Sequence, residues 1–253
     1  MCSVVQAGTI CTVVADARDH TFILKDGNCS ERVTPASTFK IALSLMGYDS
    51  KFLKDESKPT LVYQRGDPDW GGTAWLQPTN PSDWMKYSVV WYSHRVTHFL
   101  GEPRLADYTR AFSYGNADVS GDAGKHNGID RAWISSSLKI SPLEQIDFII
   151  KLVNKRLPIS QHAIDTTMRL TEVVNLPGGW AVHGKTGTAF PRDEFGKADQ
   201  TRGYGWFVGW ATKGARTIVF ARLSQDTNEN SVPAGKRVRD ALLGDWVTIM
   251  KSQ

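Results

Sequence analysis

The sequence predicts an α+β fold: an antiparallel β-sheet flanked by helices, with an all-helical subdomain inserted between the segments that build the sheet. Three observations predict it. Two β-branched apolar runs flank a turn-like stretch within residues 9–24, the middle of the chain carries helical periodicity, and residues 180–223 hold three short strand-like runs in succession before an amphipathic end. Strands that follow one another favour antiparallel pairing over a doubly wound parallel sheet. The expected division is a sheet part at 1–30 plus 178–253 and a mainly helical part at 31–177, forming one compact unit with any site at their junction.

Residues 9–15 (TICTVVA) and 21–24 read as a hairpin about the polar stretch 16–20. Thr34 is an expected N-cap and Pro35 a first helical residue for a helix running to Tyr48. That helix is apolar nearly all round and so is expected to be buried. Residues 64–82 read as loop, 84–100 as helix and 101–128 as irregular. Two further helical patterns follow at 141–154 and 161–174, the first opened by Ser141-Pro142. The strand-like runs are 180–183, 205–212 and 217–223, and a final amphipathic helix spans 235–250.

Composition narrows the function. The chain has 253 residues, 41% hydrophobic and 22% charged, as globular proteins do. The net charge of +4 is dispersed, and its densest cluster, Lys236-Arg237-Val238-Arg239, is too short for a nucleic-acid arm. No apolar run is long enough to span a membrane. Met1-Cys2-Ser3-Val4 opens no signal-type segment, so either a cytosolic protein or removal of an export signal is expected. Cys11 and Cys29 flank the hairpin, and a disulfide and two free thiols are about equally expected; Cys2 is the third cysteine.

Three motifs carry chemistry. Ser37-Thr38-Phe39-Lys40 places a hydroxyl and an amine one turn apart at the start of a buried helix. There the free N–H groups and the positive dipole end favour negative charge, as an oxyanion requires. Desolvation disfavours the ammonium form of Lys40, and a neutral Lys accepts a proton from Ser. This spacing alone occurs about once by chance in such a chain. Lys185-Thr186-Gly187, after the run 180–183, offers a cation and a hydroxyl to a carboxylate, and its Gly permits close approach of a ligand. Ser88-Val89-Val90 lies between them, with Ser88 placed to relay protons.

In this order the motifs resemble those of the penicillin-recognising serine enzymes. In detail the chain is similar to the class D β-lactamases. The resemblance rests on Ser37-Thr38-Phe39-Lys40, Ser88-Val89-Val90, Tyr114-Gly115-Asn116, Trp133-Ile134-Ser135-Ser136-Ser137-Leu138-Lys139-Ile140-Ser141 and Lys185-Thr186-Gly187, with Tyr204-Gly205-Trp206-Phe207-Val208-Gly209-Trp210 following. It spans residues 9–250. It implies the penicillin-binding transpeptidase-like fold and a Ser37 acyl-enzyme. It also implies CO2 bound as a carbamate on Lys40, with Trp133 as its donor. The same resemblance puts Val90 and Leu138 on apolar walls, the oxyanion hole at the N–H groups of Ser37 and Thr188, and structural support at Tyr114-Gly115-Asn116. An Arg near the last helix binds substrate carboxylate in many members. Lys236, Arg237 and Arg239 compete for that place, and Arg239 is the one carried forward.

No metal is expected. His94 and His98 have metal-site spacing, but Arg95 stands where the Glu of a zinc motif belongs, so a solvated helix face is the reading. The turn-rich stretch 66–72 is read as a border of the substrate cleft. Three functions fit these motifs: a β-lactam hydrolase, a penicillin-binding D,D-peptidase and a non-hydrolytic β-lactam sensor. The Trp133 context and compact length favour the hydrolase. The expected partner is a small β-lactam, with no nucleic acid and no membrane span. A homodimer is left open, and a periplasmic location after signal removal is expected.

Overall fold

A computed structural model describes residues 8–251, so Cys2 lies outside the described residues. The chain runs β1 (Gly8–Asp16), β2 (Phe22–Gly27), a 3-10 turn (Ala36–Phe39), α1 (Lys40–Asp49), α2 (Pro81–Tyr87), α3 (Val90–Ala111), α4 (Gly128–Arg131), α5 (Pro142–Val153), α6 (Gln161–Leu170), β3 (Val173–Leu176), β4 (Trp180–Ala189), β5 (Tyr204–Lys213), β6 (Arg216–Gln225) and α7 (Ala234–Lys251). The strands form one antiparallel sheet in the order β2-β1-β6-β5-β4-β3. The α+β architecture with a helical insertion is therefore the one the sequence predicts.

Side chains alternate across a strand, and here both faces are covered. Trp206, Val208 and Trp210 of β5, with Val219, Ala221 and Leu223 of β6, join the large core. That core is closed by α5, which packs on β1, β5 and β6. Phe207 and Ala211, with Ile218 and Phe220, face the other way onto Val238, Leu242 and Trp246 of α7. Helix α1 is buried from Lys40 to Tyr48, as its all-round apolar pattern predicts. Ser141 caps α5 in a capping box with Glu144, which holds the helix entry with two reciprocal bonds.

Several local expectations are corrected. Thr34 caps nothing, because its Oγ1 donates to the Trp133 carbonyl at 2.8 Å and accepts from Ser135 N at 3.0 Å. The helix expected over 84–100 is two helices. Asn80 caps α2 and Pro81 opens it, and the break falls at Ser88, where φ is 60°. Helix α3 kinks at Gly101 (φ 72°) and then continues to Ala111 through the stretch read as irregular. Strand β4 is ten residues long and carries Lys185-Thr186-Gly187 within it, not after it. Strand β3, short and at the sheet edge, lies upstream of residue 178 inside the span read as helical. Cys11 and Cys29 are joined as a disulfide. None of the described helices is long and apolar enough to cross a membrane.

Candidate active site

The site is built where the start of α1 meets β4. Ala36 takes a left-handed φ of 51°, a conformation that costs a non-glycine residue about 1–2 kcal/mol. The strain sits directly before Ser37 and throws the chain into the 3-10 turn. Three residues per turn stack i over i+3, so Ser37 and Lys40 align, and Lys40 Nζ lies 3.2 Å from Ser37 Oγ. Lys40 is fully buried. Burial, and then the neighbouring charge of Lys185, hold its amine well below the usual lysine range. Both influences favour the uncharged amine, the form that accepts a proton.

Strand β4 packs against this turn at Gly187. A Cβ there would stand 3.0 Å from the Pro35 carbonyl oxygen and 3.1 Å from Thr38 Cγ2. On its other side Gly235 of α7 approaches so closely that a Cβ would stand 2.5 Å from Gly187 O. Gly187 is thus the contact through which nucleophile turn, sheet and last helix are fixed together. Thr188 Oγ1 accepts from Gly235 N at 2.9 Å. Lys185, 5% exposed, donates to the Thr186 carbonyl at 3.1 Å. Burial lowers its pKa to about 8; Arg239's charge pushes the same way and Glu172 opposes.

Ser88, at the α2–α3 break, also has left-handed backbone. Ser88 Oγ and Trp133 Nε1 are buried without a hydrogen-bond partner, which is uncommon for buried polar atoms. Trp133 packs against Phe39, with ring centroids 5.7 Å apart. Tyr114 supports the same ring from 5.1 Å, and Gln145 bonds both Thr38 Oγ1 and Tyr114 OH. Asn116 bonds the backbone of Ser137 and Lys139. A Cβ at Gly115 would stand 2.0 Å from the Lys139 carbonyl, so only glycine fits.

A cleft of ≈ 420 Å³ brings Ser37, Ser88, Val90, Trp133, Thr186 and Thr188 together. Trp70 and Gly71 carry the 66–72 loop to its edge, and Trp75, Ile134 and Phe190 add apolar wall. No charged side chain lines it among the described residues. Leu138 is buried in the core and does not line it. Nor do the three cationic candidates. Arg239 pairs with Glu172 at 2.9 Å, Arg237 with both oxygens of Asp226 at 2.7 and 2.6 Å, and Lys236 with Asp240 at 2.6 Å. Sequence reasoning took Thr34 for a cap and missed Gln145, Asn230 and Ser231, the last two of which line the cleft. Only Gln145 left a signal, as an amide on the apolar face of an amphipathic helix.

The pattern of the penicillin binding protein transpeptidase domain matches residues 8–245. A crystal structure of the OXA-427 class D β-lactamase superposes with a TM-score of 0.89 at 42% identity, covering 96% of this chain and 98% of that one. The chain belongs to the class D β-lactamases. Beta-lactamase OXA-9 of Klebsiella pneumoniae is 41% identical over 95% of this chain and 88% of its own length. Beta-lactamase OXA-1 of Escherichia coli is 33% identical over 92% and 82%. Membership accounts for the conjunction of a strained Ser37 turn, a buried lysine beneath it and a Lys-Thr-Gly strand alongside.

Proposed function

We propose that the protein hydrolyses the β-lactam ring of penicillin-type antibiotics through an ester on Ser37, with Lys40 carrying CO2 as a carbamate. The observation that carries this reading is the buried Lys40 amine, whose single hydrogen-bond partner among the described residues is Ser37 Oγ at 3.2 Å. A carbamate is an anion and needs donors. Trp133 Nε1 and Ser88 Oγ are buried donors left without partners around the same cleft, and each unmade bond costs about 1–3 kcal/mol. These residues fit the group. When bound, it supplies an anionic base for the Ser37 proton and for the water that cleaves the ester.

The chain's own side chains do the rest. Ser37 Oγ bonds to the ring carbonyl carbon as the carbon–nitrogen bond breaks. The N–H groups of Ser37 and Thr188 receive the charge on the carbonyl oxygen. Ser88 passes a proton to the departing nitrogen. Lys185, still largely an ammonium at neutral pH with a pKa of about 8, attracts the substrate carboxylate, and the Thr186 hydroxyl meets it in the cleft. Arg239 adds its field from the Glu172 pair. Val90 and the aromatic wall shelter the ester from bulk water. We place the protein in the bacterial periplasm; the Cys11–Cys29 disulfide supports an oxidising compartment.

The test is turnover of a chromogenic cephalosporin with and without added bicarbonate. Sustained turnover that rises with bicarbonate is expected. A single stoichiometric burst that stops would instead make the protein a sensor or a penicillin-binding protein.

A further inference from the structure

His94 lies one turn beyond Val90 on α3 and makes an edge contact with Trp133, ring centroids 6.0 Å apart at 65°. Trp133 therefore packs against both Phe39 and His94. His94 Nε2 stands 3.2 Å from the Asp130 carbonyl oxygen. A carbonyl only accepts, so this nitrogen carries the ring proton. One turn on, His98 Nε2 bonds Asp130 Oδ1 at 2.7 Å, and His94 Nδ1 is 3.7 Å from the same oxygen. The two histidines thus grip the backbone and the side chain of Asp130, three residues before Trp133. The spacing that suggests a metal site serves to hold the segment that delivers the indole.

We propose that His94 is a positioning residue: it fixes the indole of Trp133 and thereby sets how tightly Lys40 holds CO2. This inference rests on the carbamate reading of Lys40. The titratable and charged groups facing His94 are Asp130 from α4, His98 from its own helix and Lys40 from α1. Burial is the largest influence and lowers its pKa; Asp130 opposes, His98 adds to the fall, and an anionic carbamate on Lys40 would oppose it. With its proton on Nε2, the ring offers one donor to the Asp130 carbonyl and an edge to Trp133.

The experiment is a titration of the protein with carbon-13 bicarbonate, following the lysine carbamate resonance by NMR, with the thermal midpoint of each variant recorded alongside. The bicarbonate needed for half-occupancy is expected to rise about tenfold in His94→Ala, as loss of an orienting partner does at ligand sites. His94→Gln, whose amide can donate to the Asp130 carbonyl, is expected to recover most of that rise. Wild-type half-occupancy in His94→Ala overturns the inference, and a His94→Gln value as high as that of His94→Ala overturns the hydrogen-bond route. If His94→Ala does not fold, His94→Leu removes both the donor and the ring contact and is read the same way. Absence of any carbamate resonance in the wild type overturns the Lys40 reading, and the inference with it.

Discussion

Replacing Lys185 with Met tests how the fold carries its second buried amine. The Lys185 pKa falls from 10.5 to about 8, with burial the largest cause. At 1.36 kcal/mol for each pH unit, keeping this ammonium charged inside the protein costs about 3 kcal/mol at pH 7. Between pH 8 and 10.5 the folded lysine has lost its proton while the unfolded one keeps it. The unfolded state then binds more protons, so stability rises with pH across that window. Above 10.5 both forms are neutral and the penalty is gone; below 8 it is present in full. Lys185→Met keeps the length and removes the charge, with an imperfect fit costing about 1 kcal/mol. Denaturant unfolding of both proteins from pH 7 to 10.5 is the assay, and their difference cancels every other titration. The variant is expected to be more stable by about 2 kcal/mol at pH 7, with the advantage lost as pH approaches 10.5. Its kcat/KM for penicillins is expected to fall about 10- to 100-fold, the worth of a charged hydrogen bond. A variant less stable at pH 7, or an advantage that does not shrink with pH, refutes the reasoning.

Three further substitutions probe the site. Gly187→Ala puts a methyl 3.0 Å from the Pro35 carbonyl; it should cost about 1–3 kcal/mol by denaturation and lower kcat about a hundredfold by displacing the Ser37 turn, so wild-type kinetics would remove Gly187 from its role as the fixing contact. Ser88→Gly relieves left-handed backbone at φ 60° and removes a buried unpartnered hydroxyl; kcat should fall by about 10²-fold or more with no loss in thermal midpoint, whereas retained kcat would exclude Ser88 from proton delivery. Arg239→Ala separates field from contact, because its guanidinium is held by Glu172. Its loss should raise the Lys185 pKa and move the alkaline limb of kcat/KM upward while KM changes less than about threefold. A KM rise of about tenfold or more would assign Arg239 direct contact with substrate.

The fold was legible where burial dictates periodicity. The hairpin, the all-apolar α1 and the strands β5 and β6 follow from side-chain pattern, because the core covers both faces of the sheet. What stayed hidden depends on backbone geometry that no pattern encodes. Asn80-Pro81 opens α2 and Ser88 breaks it, yet Ser88 in a left-handed conformation looks like any helical serine in the sequence. The Lys-Thr-Gly motif was visible, but its place inside β4 was not, since its polar residues interrupt the apolar alternation. The cations of 236–239 were indistinguishable in sequence because their partners, Asp226, Glu172 and Asp240, are set by tertiary packing. His94 and His98 showed their spacing, and only the structure supplied Asp130 as what they hold.

At the centre stands Lys40 as the base without which the ester on Ser37 is not released. Intact-protein mass spectrometry of Lys40→Ala mixed with benzylpenicillin is the decisive experiment, with peptide mapping to locate any adduct. A lasting adduct of the full penicillin mass is expected on the peptide bearing Ser37, while the wild type accumulates none. Turnover by Lys40→Ala at the wild-type rate, with no adduct on that peptide, would contradict it.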